Sequence, residues 1–155
     1  MLHNVNVNIP GSRVYDDNEA NRAIYGGLYT YTQIADIEAA YPGYHVPSPA
    51  EWQELSDYLG GDAAAGAHLK ETGTSHFNAP NIGADNSSGF TGLPGGHYSI
   101  DLAIYRHINQ WGYYLTTDPP VGGTDGSRVL FYDFISVGLE IDGGQNYESV
   151  RLIKD

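Results

Sequence analysis

Six side chains able to bind a ligand or move a proton crowd into one segment. His97, Tyr98, Tyr105, His107, Asn109 and Tyr113 lie within "GGHYSIDLAIYRHINQWGYY", beside Trp111. Their spacing fits neither a helical stripe nor strand alternation, so the segment reads as loops. Tyr, Trp, His and Asn offer large, rigid, amphipathic contact at low entropic cost, as in paratopes and sugar sites. Loops held on a rigid scaffold are where binding residues collect. Tyr147, in the last turn, is expected to join them. The competing account puts half of these aromatics, with Trp111 and Tyr114, in the core.

Catalysis requires a constellation, and the motifs for one are missing. There is no G-x-S-x-G elbow, Walker loop, G-x-G-x-x-G or H-E-x-x-H. The six histidines are scattered, and His97 and His107 lack metal-ligand spacing. "DDNEAN" at Asp16–Asn21 offers oxygens, but Ala20 breaks the calcium-loop pattern; turn capping is the expected role. "GTDG" at Gly123–Gly126 reads as a hairpin turn. With no cysteine in the chain, disulfides and thiol nucleophiles are excluded. The expectation is a non-enzyme with no catalytic residue, no metal and no cofactor.

The elements that must position these loops are legible in part. The chain has 155 residues, enough for one domain with a real core. Val5, Val7 and Ile9 alternate with asparagines, which predicts a short strand ended by Pro10-Gly11. "YDDNEANRAIYGG" reads as polar turns. A helix is expected from about Thr32, with Ile34, Ile37 and Ala40 on one face, ending at Pro42-Gly43. Ser48, Pro49 and Glu51 make a capping box for a second helix, with Trp52, Leu55, Tyr58 and Leu59 on its buried face and Gly60-Gly61 as its stop. A short helix over Ala63–Leu69 is compatible with the pattern. "GYYLTTD", "SRVLFYDF" and "ESVRLIKD" predict strands, separated by the turns "PPVGGTDG" and "EIDGGQN". Helices early and antiparallel strands late give an α+β class.

Seven basic residues against 19 acidic ones leave a net charge of -12, which repels nucleic acid. "MLHNVNVNIP" has no signal-peptide pattern, and no run is long and apolar enough for membrane insertion.

"YGGLYTYTQI", "PGYHVPSPAEWQELSDYLGG", "HLKETGTSHFNAPNIGADNSSGFTGLPGG" and "ESVRLIKD" occur in an order and spacing that resemble the Fibrobacter succinogenes major paralogous domain. The likeness covers roughly residues 11–155. It implies a C-type-lectin-like fold, two helices with antiparallel strands and long loops, distantly similar to formylglycine-generating enzymes and to the variable proteins of diversity-generating retroelements. It also implies recognition through loops of the second half of the fold. The family, common in Bacteroidota and their phages, usually carries cysteines where this chain has Val14, Arg22, Tyr41 and Leu152. Their joint loss fits folding in a reducing compartment. The copper-binding cysteines of the formylglycine-generating enzymes and the calcium motifs of lectins are both missing.

The resulting expectation is a binding or display domain of a phage virion, assembled in the bacterial cytoplasm, within a fibre, tail or capsid decoration. Its partners would be other virion proteins or a second copy, and a host surface protein or glycan. Residues 1–10 would form a docking arm and residues 11–155 the domain. The alternatives are a secreted or surface-anchored bacterial module and, from another class, an enzyme on the lectin-like fold.

Overall fold

Ser48 opens the best-specified element. In the computed structural model, which describes residues 3–117, 126–140 and 146–155, its hydroxyl accepts from the Glu51 amide at 3.3 Å. Glu51 accepts in return from the Ser48 amide at 2.8 Å. These bonds satisfy donors that a helix start leaves open, and α3 runs Pro49–Tyr58 with Leu59 at its end. A second capping box, between Thr30 and Gln33, forms the 3-10 turn leading into α2 (Ile34–Ala40). Helix α4 spans Asp62–Leu69, one residue longer than the expected stretch.

The described residues hold four α-helices, two more than the pair over residues 32–41 and 49–59 that the sequence specifies by apolar face and stop signal. The one wholly missed is α1 (Ala20–Tyr25), inside the segment read as turns. At six residues it is too short for a periodic signal. Just ahead of it the carboxamide of Asn18 accepts from the Ala20 amide at 3.1 Å, a local turn bond of the kind expected of "DDNEAN".

Strands β4 (Trp111–Tyr114), β5 (Ser127–Phe131) and β6 (Val137–Glu140) form an antiparallel sheet in that order. β1 (Tyr44–His45) pairs with β7 (Ile153–Lys154), and β2 (His97–Ser99) pairs with β3 (Ile104–Arg106). The mixture of helices with small antiparallel sheets is α+β. The expected strand over Val5–Ile9 does not form: the segment is extended without a ladder, and Val5 is 2% exposed. The Val5 amide donates to Val150 O at 2.9 Å, and Val5 O accepts from Gly27. What looked like a free edge is therefore packed into the body of the domain. Most residues of the turns read at 119–126 and 140–146 lie outside the described residues.

Two apolar clusters carry the packing. One joins Val5, Tyr29, Ile37, Val46, Leu115, Val150 and Leu152, with Tyr41 against it. The other joins Trp52, Leu69, Phe90, Tyr114, Leu130 and Val137. In it Trp52, Phe90 and Tyr114 form a triangle with ring centres 5.5 to 5.8 Å apart. α4 reaches the sheet closely because Gly66 has no side chain; a Cβ there would lie 2.3 Å from Ser136 O.

Tyr58 departs from its expected place on the buried face of α3: it is 86% exposed. Lys70 departs in the other direction. It is wholly buried, and its ammonium donates to Ile82 O, Phe131 O and Phe134 O at 2.8 to 2.9 Å. A buried charge is tolerated when hydrogen-bonded in this way. Burial pulls the ammonium down to about 8. The Asp133 carboxylate opposes that by favouring the charged form.

Candidate functional site

The β2–β3 hairpin sets the site's geometry. Its register places Tyr98 opposite Tyr105 and His97 opposite Arg106. Alternation sends His97 and Ser99 inward and leaves Tyr98 half-buried between them. The Tyr98 backbone also exchanges two 3.0 Å bonds with Tyr147, which brings the last turn of the chain alongside. The Tyr98 ring centre lies 4.8 Å from that of Tyr105 and 5.8 Å from that of Tyr147.

Arg13 completes this cluster, and nothing local in the sequence announced it. Its guanidinium lies 4.0 Å from the Tyr98 ring centre and 5.3 Å from that of Tyr147. Nη1 donates to the Tyr105 hydroxyl and to Asp17, each at 3.2 Å. The Tyr105 hydroxyl in turn donates to Asp17. The bond to Tyr105 is the main cause that raises the Arg13 pKa. Burial, then the bond to Asp17, raises that of Tyr105, so the phenol stays neutral and the guanidinium charged. The result is a partly exposed surface with three aromatic rings around a fixed cation, edged by hydroxyls and a carboxylate.

The remaining predicted site residues lie deeper. His97 and Tyr113 are 3% and 1% exposed, so they support the surface from within. Their rings meet edge-on at 4.3 Å. His107 is half-buried; its Nδ1 is 2.7 Å from the Tyr113 hydroxyl, and its ring centre lies 4.0 Å from that of Trp111. Burial, then the nearby Arg106, lowers the His107 pKa and keeps it neutral. Asn109 donates to Tyr25 Oη at 3.0 Å and to His76 O at 2.7 Å. The segment looked aperiodic for a reason: His107 and Asn109 both adopt positive φ, 65° and 63°. Such a backbone has no place in a helix or a strand. Composition alone could not sort these residues, because buried and exposed aromatics alternate within a few positions.

Other polar groupings have different geometry. Ser87, His68 and Asp85 have the residue types of a hydrolytic triad. The hydroxyl and the carboxylate both meet the same ring nitrogen, His68 Nδ1, at 2.8 and 3.0 Å. A relay needs them on opposite nitrogens. His45 bridges Glu51 through Nε2 at 2.8 Å and Asp155 through Nδ1 at 2.7 Å, tying the last residue to α3. Among the described residues no three His, Asp or Glu side chains gather into a metal-sized group. No helix among them is long and apolar enough to cross a membrane.

A family model, the Fibrobacter succinogenes major domain, matches residues 2–154. The chain belongs to this family. No curated protein and no solved structure matches it. The Fibrobacter succinogenes major domain match begins ahead of Val5 and so takes in the N-terminal segment that packs into the core. In this member, Tyr41 and Leu152, which stand where the resemblance places cysteines, belong to one apolar cluster.

Proposed function

We propose that this Fibrobacter succinogenes major domain is a non-catalytic binding and display domain with a C-type-lectin-like fold, carried on a phage virion as part of a fibre, tail or capsid decoration. The observation that carries the binding reading is the Arg13 cradle of Tyr98, Tyr105 and Tyr147. Aromatic faces suit the C–H faces of a sugar ring, while Arg13, Asp17 and the phenol hydroxyls suit its hydroxyls and any carboxylate. The ligand is then a glycan or a glycan-bearing protein on the host surface. His107, Asn109, His97 and Tyr113 hold the loops in register beneath it.

The lectin-like reading draws on the two chain ends running together, through Val5 with Val150 and β1 with β7. It also draws on the long stretch between α4 and β2 without helix or strand. The virion reading draws on a cysteine-free chain whose Tyr41 and Leu152 are stabilised by packing, as assembly in a reducing cytoplasm requires. Mass spectrometry of particles purified from an infected Bacteroidota culture tests the placement; the protein should be found in the particles. Its recovery solely from cell envelopes or medium would overturn the virion reading. Sedimentation of the full chain with intact host cells or their isolated surface glycans tests the binding. Arg13→Gln should weaken attachment at least tenfold, and unchanged attachment would overturn it.

A further inference from the structure

Tyr58 poses a question that the surface described above leaves unanswered. A tyrosine that the apolar stripe of α3 assigns to the core stands 86% exposed. It forms the wall of a groove of about 530 Å³, on the same side of the helix as Glu51, Glu54 and Leu55. Leu55, Phe90 and Ile153 supply apolar lining, and no lysine, arginine or histidine is among the lining residues. The two carboxylates differ in their engagement. Glu51 Oε2 accepts from Ser48 and Oε1 meets His45. Among the described residues, the Glu54 carboxylate has no hydrogen bond or salt bridge. The groove thus offers an apolar bed, an exposed aromatic face and an uncompensated carboxylate, in a chain with a net charge of -12.

We propose that this groove binds a lysine or arginine side chain presented by a protein partner. The aliphatic stem of such a side chain covers apolar surface while its head keeps polar contact. Here the stem lies along Leu55, Phe90 and Ile153. The cationic head sits against the Tyr58 ring and pairs with Glu54. The negative field of the chain draws basic segments in. Charge complementarity is what singles out this occupant: a wholly apolar segment would leave Glu54 desolvated and unpaired, which is costly. The site shares no residue with the Arg13 surface and stands or falls independently of it.

The test is an NMR titration of the full chain with the blocked tripeptides acetyl-Gly-Lys-Gly-amide and acetyl-Gly-Arg-Gly-amide. Acetyl-Gly-norleucine-Gly-amide, which keeps the stem without the charge, and the neutral disaccharide cellobiose serve as controls. Binding should shift the amides of Leu55, Tyr58 and Phe90, and the basic peptides should bind at least tenfold more tightly than either control. Tyr58→Ala leaves the charge unchanged and should weaken peptide binding about tenfold. Glu54→Gln should do the same, and Asp101→Asn, at an exposed hairpin position, should leave it unaltered. Both groove residues are at the surface, and matched melting temperatures establish that the variants fold. Full binding by Tyr58→Ala would mean diffuse charge attraction, and tighter binding of cellobiose or the norleucine peptide would mean a different ligand class. Either result overturns the proposal.

Discussion

Arg13 and Tyr105 lie 92 positions apart in the chain, yet the guanidinium donates to the phenol oxygen at 3.2 Å while lying 4.0 Å from the neighbouring Tyr98 ring centre. The first loop and the β2–β3 hairpin are thereby locked together at the proposed binding surface. A lysine could carry the charge but not the planar fork that stacks and donates at once. Arg13→Lys should therefore lower stability by about 1 kcal/mol, or Tm by about 3 °C for a domain of this size. An unchanged melting curve would show that the contact holds nothing.

Lys70 should be harder to replace. Lys70→Met keeps the apolar stem but removes three charge-assisted hydrogen bonds to the loops at Ile82, Phe131 and Phe134. The expected cost is about 3 kcal/mol. Denaturant melts measure it directly. A variant as stable as the parent would mean that apolar packing replaces the ammonium without loss, as happens for some buried ions.

In α3 the cap and the core face separate cleanly. Ser48→Ala removes the hydroxyl that accepts from Glu51 N, at an expected cost of about 1 kcal/mol. Trp52→Ala empties the centre of the aromatic triangle and should cost about 3–5 kcal/mol. Chemical denaturation of both variants should preserve that order, and a reversed order would contradict the packing described.

His45 makes stability depend on pH in a definite direction. Hydrogen bonds first to Glu51, then to Asp155, raise its pKa above the ordinary 6.5. A raised folded value means that the stabilisation is present in full below 6.5 and is lost as pH rises through the folded value. The gap in Tm between the parent and His45→Gln should be widest near pH 5.5 and shrink at higher pH. A gap that stays constant or grows with pH would contradict the bridge.

Local patterns carried much of the fold. The capping box at Ser48 and Glu51, the apolar face of α2 and the β4 and β5 segments were legible because each is encoded within a few residues. Elements of two or three residues, such as β1, β2 and β3, fall below the length at which a period can be read, and of the strand expected over "ESVRLIKD" only Ile153–Lys154 forms β7. Val5 resembled half of an exposed strand because its partners, Gly27 and Val150, are remote in sequence. The candidate site was legible only as composition. Tyr98, Tyr105 and Tyr147 do gather, but Arg13 enters through long-range packing, and His97 and Tyr113 are internal. Tyr58 follows the helical stripe of a core residue and is nonetheless exposed, so burial could not be taken from periodicity there.

Attachment to host cells, set against melting temperature, tests the binding account most directly. The labelled 155-residue chain is sedimented with intact cells of the proposed Bacteroidota host, alongside Tyr98→Ser, Tyr147→Ser and the internal variant Tyr113→Phe. The account predicts that the two surface variants melt within a few degrees of the parent but attach at least tenfold more weakly. Tyr113→Phe removes only the hydroxyl near His107 Nδ1 and should attach normally despite a lower Tm. If Tyr98→Ser and Tyr147→Ser instead melt early and attach as well as the parent, the cluster is packing and the binding claim is contradicted.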